Sequence, residues 1–216
     1  MSDGKRVEQG AAASLQFTIE EVALIADVHF FHAKAEIARK VRRLLETVHE
    51  ELREEMTKAS LLVPPGFDPH KYQFVKGEHL EDFPYQYLDY PKHFVGGEAF
   101  TFRSLFWWGH HFAFALILEG RAVGQYKRNL LDRFHHVAGR ELHLSLAPTL
   151  WEWKRGEGYT LPITHDRKAQ VAAVLAERSF FKILRFVPPA DPAVVQGMLP
   201  RISRETFQAI LPIVSS

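Results

Sequence analysis

One hairpin constrains the fold of this chain more than any other feature of its sequence. The first arm, residues 100–108, alternates aromatic residues with others, and the second arm, residues 111–119, is apolar at odd and even positions alike. Alternation predicts a strand, whereas an arm that is apolar on both sides is typical of a strand buried between two layers. Gly109 stands between the arms and favours a turn. The chain therefore needs a sheet that is covered on both faces at this point.

Helices are predicted before the hairpin. Thr18 and Glu21 have the spacing of a capping box, so a short helix follows them. Asp27 is a second N-cap candidate, and a continuous apolar stripe predicts a long helix over residues 28–58. Two prolines and a glycine at 64–66 end this part of the chain.

The remaining patterns predict an α+β fold with a largely antiparallel sheet backed by helices. Residues 66–98 contain Pro84 and Pro91, so we expect one short strand at 72–76 and then an ordered loop anchored by aromatic side chains. The later predictions are a helix at 121–138, a strand at 141–147, a second hairpin of 150–154 with 159–163, a helix from Asp166 to 178, a strand at 180–187, an N-cap at Asp191 and a last helix from Ser203 to 214. We expect a flexible tail at 1–14 and a single domain at 15–216.

Composition excludes several classes of function. The 216 residues include no cysteine, which removes disulfides, thiol catalysis and cysteine-ligated metal sites. A net charge of +1 gives no strong signal for nucleic acid, and the longest apolar run, 112–118, is far too short to span a membrane. Without an apolar stretch after the N-terminus we expect no signal peptide and a cytoplasmic location. No nucleotide-binding or nucleophile motif is present, and no cofactor is predicted.

A short cluster before the hairpin carries a family resemblance. Residues 90–94 read Tyr-Pro-Lys-His-Phe and lead into a hairpin that ends in Glu119 and is followed by a helix. This order resembles the YktB-like family of uncharacterised bacterial proteins, in which a similar cluster and hairpin follow a long helix. The family also has a His/Arg-rich stretch that residues 71–76 lack. The resemblance covers most of residues 18–214 in element order and implies the fold, without an activity.

The long helix offers one metal candidate and one interface candidate. His29, His32 and Glu36 have helical spacing, but Lys40 and Arg43 share their face, so a solvated face is favoured and no metal is predicted. Residues 34–43 carry a net charge of +4 and residues 46–55 carry −4. An antiparallel pairing would match these halves across a twofold axis. One function hypothesis is therefore a non-enzymatic interaction protein that forms a homodimer through this helix.

The leading function hypothesis is the binding of a small anionic or planar ligand near the hairpin. The candidate residues are cationic, aromatic or histidine side chains: Arg103, Lys92, His93, Trp108, His110, His111, Tyr85 and Tyr87. A cation within an apolar strand needs an anionic partner, which would be a ligand or a protein carboxylate such as Asp89 or Glu119. In the ligand-free alternative the aromatic residues are a packed core. A hydrolase with a histidine general base paired with one of these carboxylates is a further alternative.

Tryptophans alternate with charged residues at 151–154. This pattern predicts a strand with two indoles on one face, either exposed to a partner or covering a core.

Overall fold

A computed structural model describes residues 15–216, so the predicted tail at 1–14 lies outside the described residues. The chain divides into two compact units, Met1–Ala38 and Arg39–Ser216. The first contains α1, Ile19–Ile25, and the beginning of α2, Val28–Lys58. A single domain over 15–216 stays a prediction.

Both predicted helix starts near the N-terminus are confirmed. Thr18 and Glu21 form the reciprocal capping box at the start of α1. The Phe30 backbone N–H donates to the Asp27 carboxylate over 2.8 Å, which caps α2.

The second unit is built on a seven-stranded antiparallel sheet in the order β1-β2-β3-β4-β7-β5-β6. The strands are β1 Gln73–Leu80, β2 Phe83–Val95, β3 Glu98–Trp107, β4 His111–Glu119, β5 His143–Ser145, β6 Thr160–Pro162 and β7 Phe180–Val187. The helices are α3 Val123–Asp132, α4 Phe134–Val137, α5 Lys168–Ala176, α6 Pro192–Val195 and α7 Leu199–Val214, with a 3-10 turn at His165–Arg167. The predicted α+β class is confirmed. No helix among residues 15–216 is long and apolar enough to cross a membrane.

The two faces of the sheet are covered differently. Residues of β3 with even numbers, such as Phe100 and Phe102, belong to a large core shared with α2, α3 and α7; we call this the helix face. Leu105 and Trp107 point the opposite way and pack in a smaller core with Leu150 and Trp153. Those two residues lie in an irregular stretch between β5 and β6, residues 146–159, which we call the covering segment. The face beneath it is the segment face.

The structure corrects the prediction for residues 66–98. Most of the expected loop is β2, a strand of 13 residues that contains both Pro84 and Pro91. Pro91 lies where the pairing of β2 with β3 shifts register between Asp89 and Lys92, and a bulge of this kind tolerates a residue without an N–H. The two prolines therefore did not prevent a long strand.

Other boundaries also differ from the prediction. The expected helix at 121–138 is divided into α3 and α4. Residues 150–154 are not a strand, and β6 pairs with β5 instead. The 3-10 turn has Thr164 at its N-cap instead of Asp166. Ser203 lies inside α7, where its buried hydroxyl is 3.3 Å from that of Ser104.

Candidate functional site

A buried ion pair lies at the centre of the segment face. Asp89 of β2 and Arg103 of β3 are direct cross-strand partners. Arg103 donates from Nε and Nη2 to the two carboxylate oxygens of Asp89, at 2.7 and 2.8 Å. Asp89 is thus the protein carboxylate that satisfies Arg103, one of the two expected from the sequence. A bidentate pair holds both side chains in a fixed geometry.

Aromatic rings surround the Arg103 guanidinium. Its Cζ lies 3.7 Å from the ring centroid of Tyr87, 5.2 Å from that of Trp151 and 5.6 Å from that of Trp153. The negative faces of such rings attract a cation. Tyr87 also stacks on Tyr85, with centroids 6.0 Å apart. Burial is the main cause that raises the pKa of Tyr87 above its ordinary value of 10.0.

Gly77 leaves room for the ring of Tyr85. It pairs with Tyr85 across β1 and β2, and the tyrosine ring lies over its Cα. A Cβ at this position would overlap the ring atoms of Tyr85. The missing side chain therefore lets Tyr85 lie flat against the edge strand.

These residues line an open cavity of about 440 Å³. Its lining comes from β1–β3 and from the covering segment: Gln73, Leu80, Tyr85, Tyr87, Asp89, Lys92, Phe94, Arg103, Leu105, Trp151 and Trp153. Lys92 donates from Nζ to Gln73 Oε1. Trp151 is half exposed and Trp153 is buried, so one indole faces solvent while the other covers the small core. The two tryptophans thus differ: Trp153 covers a core, as one of the two alternatives had it, and exposure of Trp151 to a partner stays a prediction.

The bulge in β2 determines which face of the sheet Lys92 and His93 each occupy. Regular alternation from Tyr85, Tyr87 and Asp89 would put residue 93 on the same face. The register shift after Asp89 exchanges the two positions, so Lys92 lines the cavity. His93 is buried on the helix face, where its ring centroid is 6.2 Å from that of Phe67.

The other predicted residues lie away from the cavity. Trp108 packs against the helix-face core, with its ring centroid 5.2 Å from that of Phe106. His110 stacks on Trp107 at 3.6 Å between centroids. His111 is buried against Phe186, and burial, with smaller effects of His110 and Arg155, lowers its pKa from 6.5 to about 4. Of the eight predicted residues, the structure brings together Arg103, Lys92, Tyr85 and Tyr87.

Lys182 is a charged residue of the segment face that sequence reasoning missed. It is 1% exposed and donates from Nζ to the backbone carbonyls of Leu150, at 2.8 Å, and of Glu152. Nζ lies 4.1 Å from the Trp153 ring centroid. Burial, with the nearby Arg103 cation, lowers the pKa of Lys182 from 10.5 to about 7. A lysine inside the apolar strand at 180–187 was the signal available in the sequence.

A second open cavity, of about 960 Å³, has an arginine-rich lining next to α7. Arg185 forms ion pairs there with Glu141 and with Glu205. Arg133 donates to the backbone carbonyls of Pro212 and Ser215 at 3.0 and 3.2 Å. None of the eight predicted residues lines this cavity.

No protein family, curated protein or solved structure matches this chain in comparisons with known proteins. The YktB-like resemblance and the cytoplasmic location therefore stay predictions. Within residues 15–216, no group of three or more His, Asp or Glu side chains is arranged to hold a metal ion.

Proposed function

We propose that the protein binds a small planar anion in the cavity between β1–β3 and the covering segment. The observation that carries the proposal is the lining itself, in which a half-exposed indole, Trp151, shares an open cavity with the cation of Lys92. A cavity of about 440 Å³ is within the usual range for small-molecule sites. Aromatic walls with a few polar groups are typical of such sites.

The charges favour an anion with a single negative charge. Asp89 already neutralises Arg103 through two hydrogen bonds. Lys92 has no carboxylate partner among the residues that the structure describes, and its hydrogen bond goes to the neutral Gln73 amide. The lining therefore keeps one net positive charge, which a carboxylate or sulfonate on a flat ring would match.

Binding is favoured over hydrolysis by what lines the cavity. Among the described residues of the lining there is no histidine and no serine. Its one carboxylate, Asp89, is occupied by Arg103. The hydrolase alternative thus has no general base in this cavity.

Calorimetric titration with 2-naphthoate tests the proposal, and the uncharged 2-naphthylmethanol is its comparison. We expect naphthoate to bind at least about tenfold more tightly than the alcohol, because Lys92 pairs with the carboxylate. Lys92→Met should remove this preference. Lys76→Met is the matched control, because Lys76 lies on the neighbouring strand β1 and outside the lining.

The aromatic contribution has its own test. Trp151→Ala should weaken naphthoate binding by about fivefold or more, since a stacked ring contributes about 1–3 kcal/mol. Equal affinity for the acid and the alcohol, or an unchanged affinity in both Lys92→Met and Trp151→Ala, would contradict the proposal. So would an absence of binding by every aromatic carboxylate and sulfonate of a broader panel.

A further inference from the structure

The second cavity, of about 960 Å³, differs from the cavity of the segment face in its size and its lining. All of its lining residues lie between Arg133 and Ser215, inside the second unit of the chain. Among the described residues of this lining there is no phenylalanine, tyrosine or tryptophan. A flat aromatic ring would therefore find no stacking partner here, so the ligand must be of another kind.

The ionised side chains of this lining leave positive charge unpaired. They are Arg133, Arg140, Arg185, Glu141 and Glu205. Both carboxylates are engaged, since Arg185 forms ion pairs with Glu141 and with Glu205. Glu205 also contacts Arg201, which lies outside the lining, at 2.8 Å. Neither Arg133 nor Arg140 has a carboxylate partner among residues 15–216. These two cations are therefore available to an anion.

Arg133 is anchored at one edge of its guanidinium and free at the other. Its Nη1 donates to the carbonyls of Pro212 and Ser215 near the end of α7, at 3.0 and 3.2 Å. These hydrogen bonds satisfy carbonyls at the helix end and hold the guanidinium in place. The N–H groups on Nε and Nη2 have no partner among the described residues, and they form the edge that binds carboxylate or phosphate bidentately. Arg103 uses this same edge to bind Asp89.

Arg140 reaches the cavity from a turn between α4 and β5. The residues on either side of it, Gly139 and Glu141, have φ angles of +76° and +57°. A residue other than glycine rarely adopts this backbone conformation, and the ion pair of Glu141 with Arg185 ties the turn to β7. The side chain of Arg140 is exposed and has no hydrogen bond or ion pair with another described residue. Its charge can therefore be given to a ligand without breaking a contact of the fold.

Two unpaired arginines match a phosphate monoester. Such a group carries about two negative charges at neutral pH and has three strong acceptor oxygens, which suit the planar guanidinium. The phosphoryl group would occupy only part of about 960 Å³, so the ligand also has a larger body. Gln208 donates its amide N–H to Glu55, which leaves its amide oxygen as an acceptor, and Ser215 Oγ can accept while it donates to Leu211. Acceptors of this kind suit hydroxyl groups.

We infer that the second cavity binds the phosphate monoester of a sugar or polyol. The phosphoryl group pairs with Arg133 and Arg140, and the hydroxyl groups lie towards Gln208 and Ser215. This inference does not depend on the binding of a planar anion in the cavity of the segment face, because the two linings share no residue.

Calorimetric titration of the full chain with glucose 6-phosphate tests the inference, with glucose and inorganic phosphate as comparisons. We expect glucose 6-phosphate to bind at least about tenfold more tightly than either, because it alone engages both the arginines and the hydroxyl acceptors. Arg140→Met should weaken its binding by at least about tenfold. Arg43→Met is the matched control, because Arg43 is an exposed arginine of α2 outside the lining. Circular dichroism checks that each variant is folded.

Two further measurements locate the phosphoryl group. Arg133→Met should also weaken binding of glucose 6-phosphate, and its melting temperature is measured in parallel because the substitution removes two hydrogen bonds to α7. Naphthoate affinity should be the same in Arg140→Met and in the natural chain. Unchanged glucose 6-phosphate affinity in Arg140→Met would overturn the assignment of the phosphoryl group to this cavity.

The class of ligand has its own contrary outcomes. Equal affinity for glucose 6-phosphate and inorganic phosphate would overturn the sugar or polyol part of the inference. Tighter binding of a phosphoserine peptide or an oligonucleotide than of glucose 6-phosphate would assign the cavity to a macromolecule and overturn it as well. So would an absence of binding by glucose 6-phosphate, sorbitol 6-phosphate and glycerol 3-phosphate alike.

Discussion

Adjacent residues of β3 meet opposite surroundings. Phe102 packs on the helix face, where its ring centroid is 5.4 Å from that of Phe207 in α7. Arg103, the next residue, lies on the segment face in a bidentate pair with Asp89. Both side chains are buried. One strand therefore contributes an apolar core on one side and a charged site on the other.

The difference comes from the backbone that covers each face. In an α-helix the carbonyls are used by the helix itself, so a helical layer offers side chains and few free acceptors. The covering segment is irregular, and its carbonyls accept from Lys182 at Leu150 and from Arg178 at Leu146, over 2.8 and 2.5 Å. The irregular backbone thus satisfies the buried Lys182 and the half-buried Arg178, and irregular segments are also where binding residues are often found.

The largest expected effect is on the free energy of unfolding. The two faces should differ in whether a second substitution can restore the stability lost by the first. Phe102→Ala and Arg103→Ala should each lower the free energy of unfolding by about 3–5 kcal/mol, the first by opening a cavity and the second by leaving Asp89 buried and unpaired. Arg103→Met combined with Asp89→Leu should recover most of the loss, because an apolar pair of similar volume can replace a buried ion pair. Urea unfolding measures all three variants beside the natural chain. If the double substitution is as destabilised as Arg103→Ala, the charged face depends on more than this pair.

Lys182 should make stability depend on alkaline pH. Its pKa in the folded protein is lowered from 10.5 to about 7, so between these values the unfolded chain binds the proton more readily. Stability should therefore rise with pH over this window, by at most about 1.4 kcal/mol per pH unit. Unfolding of the natural chain and of Lys182→Met at several pH values measures the difference. Parallel pH profiles of the two proteins would contradict the prediction.

His111 should make the folded protein less stable at acidic pH, by less than the change that Lys182 causes at alkaline pH. Its pKa is lowered from 6.5 to about 4, so as pH falls below 6.5 the unfolded chain takes up the proton first and the folded state loses stability. At pH 5 we expect a loss of about 1–2 kcal/mol that His111→Leu removes. Lys182→Met is the control, because it should retain this acid dependence. A His111→Leu profile identical to that of the natural chain between pH 7 and 5 would exclude His111 as the source.

Gly77→Ala should have the smallest effect on stability and should change the site. The new Cβ would displace the ring of Tyr85, while the strand gains conformational preference, so the free energy of unfolding should change by no more than about 1 kcal/mol. Naphthoate affinity should fall, since Tyr85 lines the cavity. Gly124→Ala is the control, because its Cβ would meet only Arg128 at 3.7 Å. Unchanged affinity in Gly77→Ala would show that Tyr85 does not contact the ligand.

Hydrophobic periodicity correctly predicted the elements in which the pattern of apolar side chains stays the same from one end to the other. The hairpin of β3 and β4 and the strand β7 at 180–187 agree with the sequence prediction. The strand β2 was missed because its prolines suggested a loop, and the bulge that accommodates them depends on pairing with β3. The stretch 150–154 has the alternation of a strand, but its carbonyls at Leu150 and Glu152 accept hydrogen bonds from Lys182, which lies 32 and 30 residues further along the chain.

The sequence predicted the kinds of side chain at the candidate site better than it predicted which residues line the cavity. A cation on an apolar strand predicted an anionic partner for Arg103, and Asp89 is that partner. The sequence could not show which of Lys92 and His93 faces the cavity, since that depends on one extra residue in the ladder between Asp89 and Lys92. Lys182 was missed because a single lysine among apolar residues does not indicate which carbonyls would accept its hydrogen bonds.

The bulge in β2 has a consequence for how this protein could diverge. The pairing of Asp89 with Arg103 and of Lys92 with Thr101 puts two residues of β2, Tyr90 and Pro91, opposite one residue of β3. Loss of one of these two residues would remove the bulge and leave Lys92 opposite Thr101, so every side chain from Lys92 to Val95 would keep its face. A single codon deletion in a descendant gene would thus make the strand regular without taking the cation of Lys92 from the cavity.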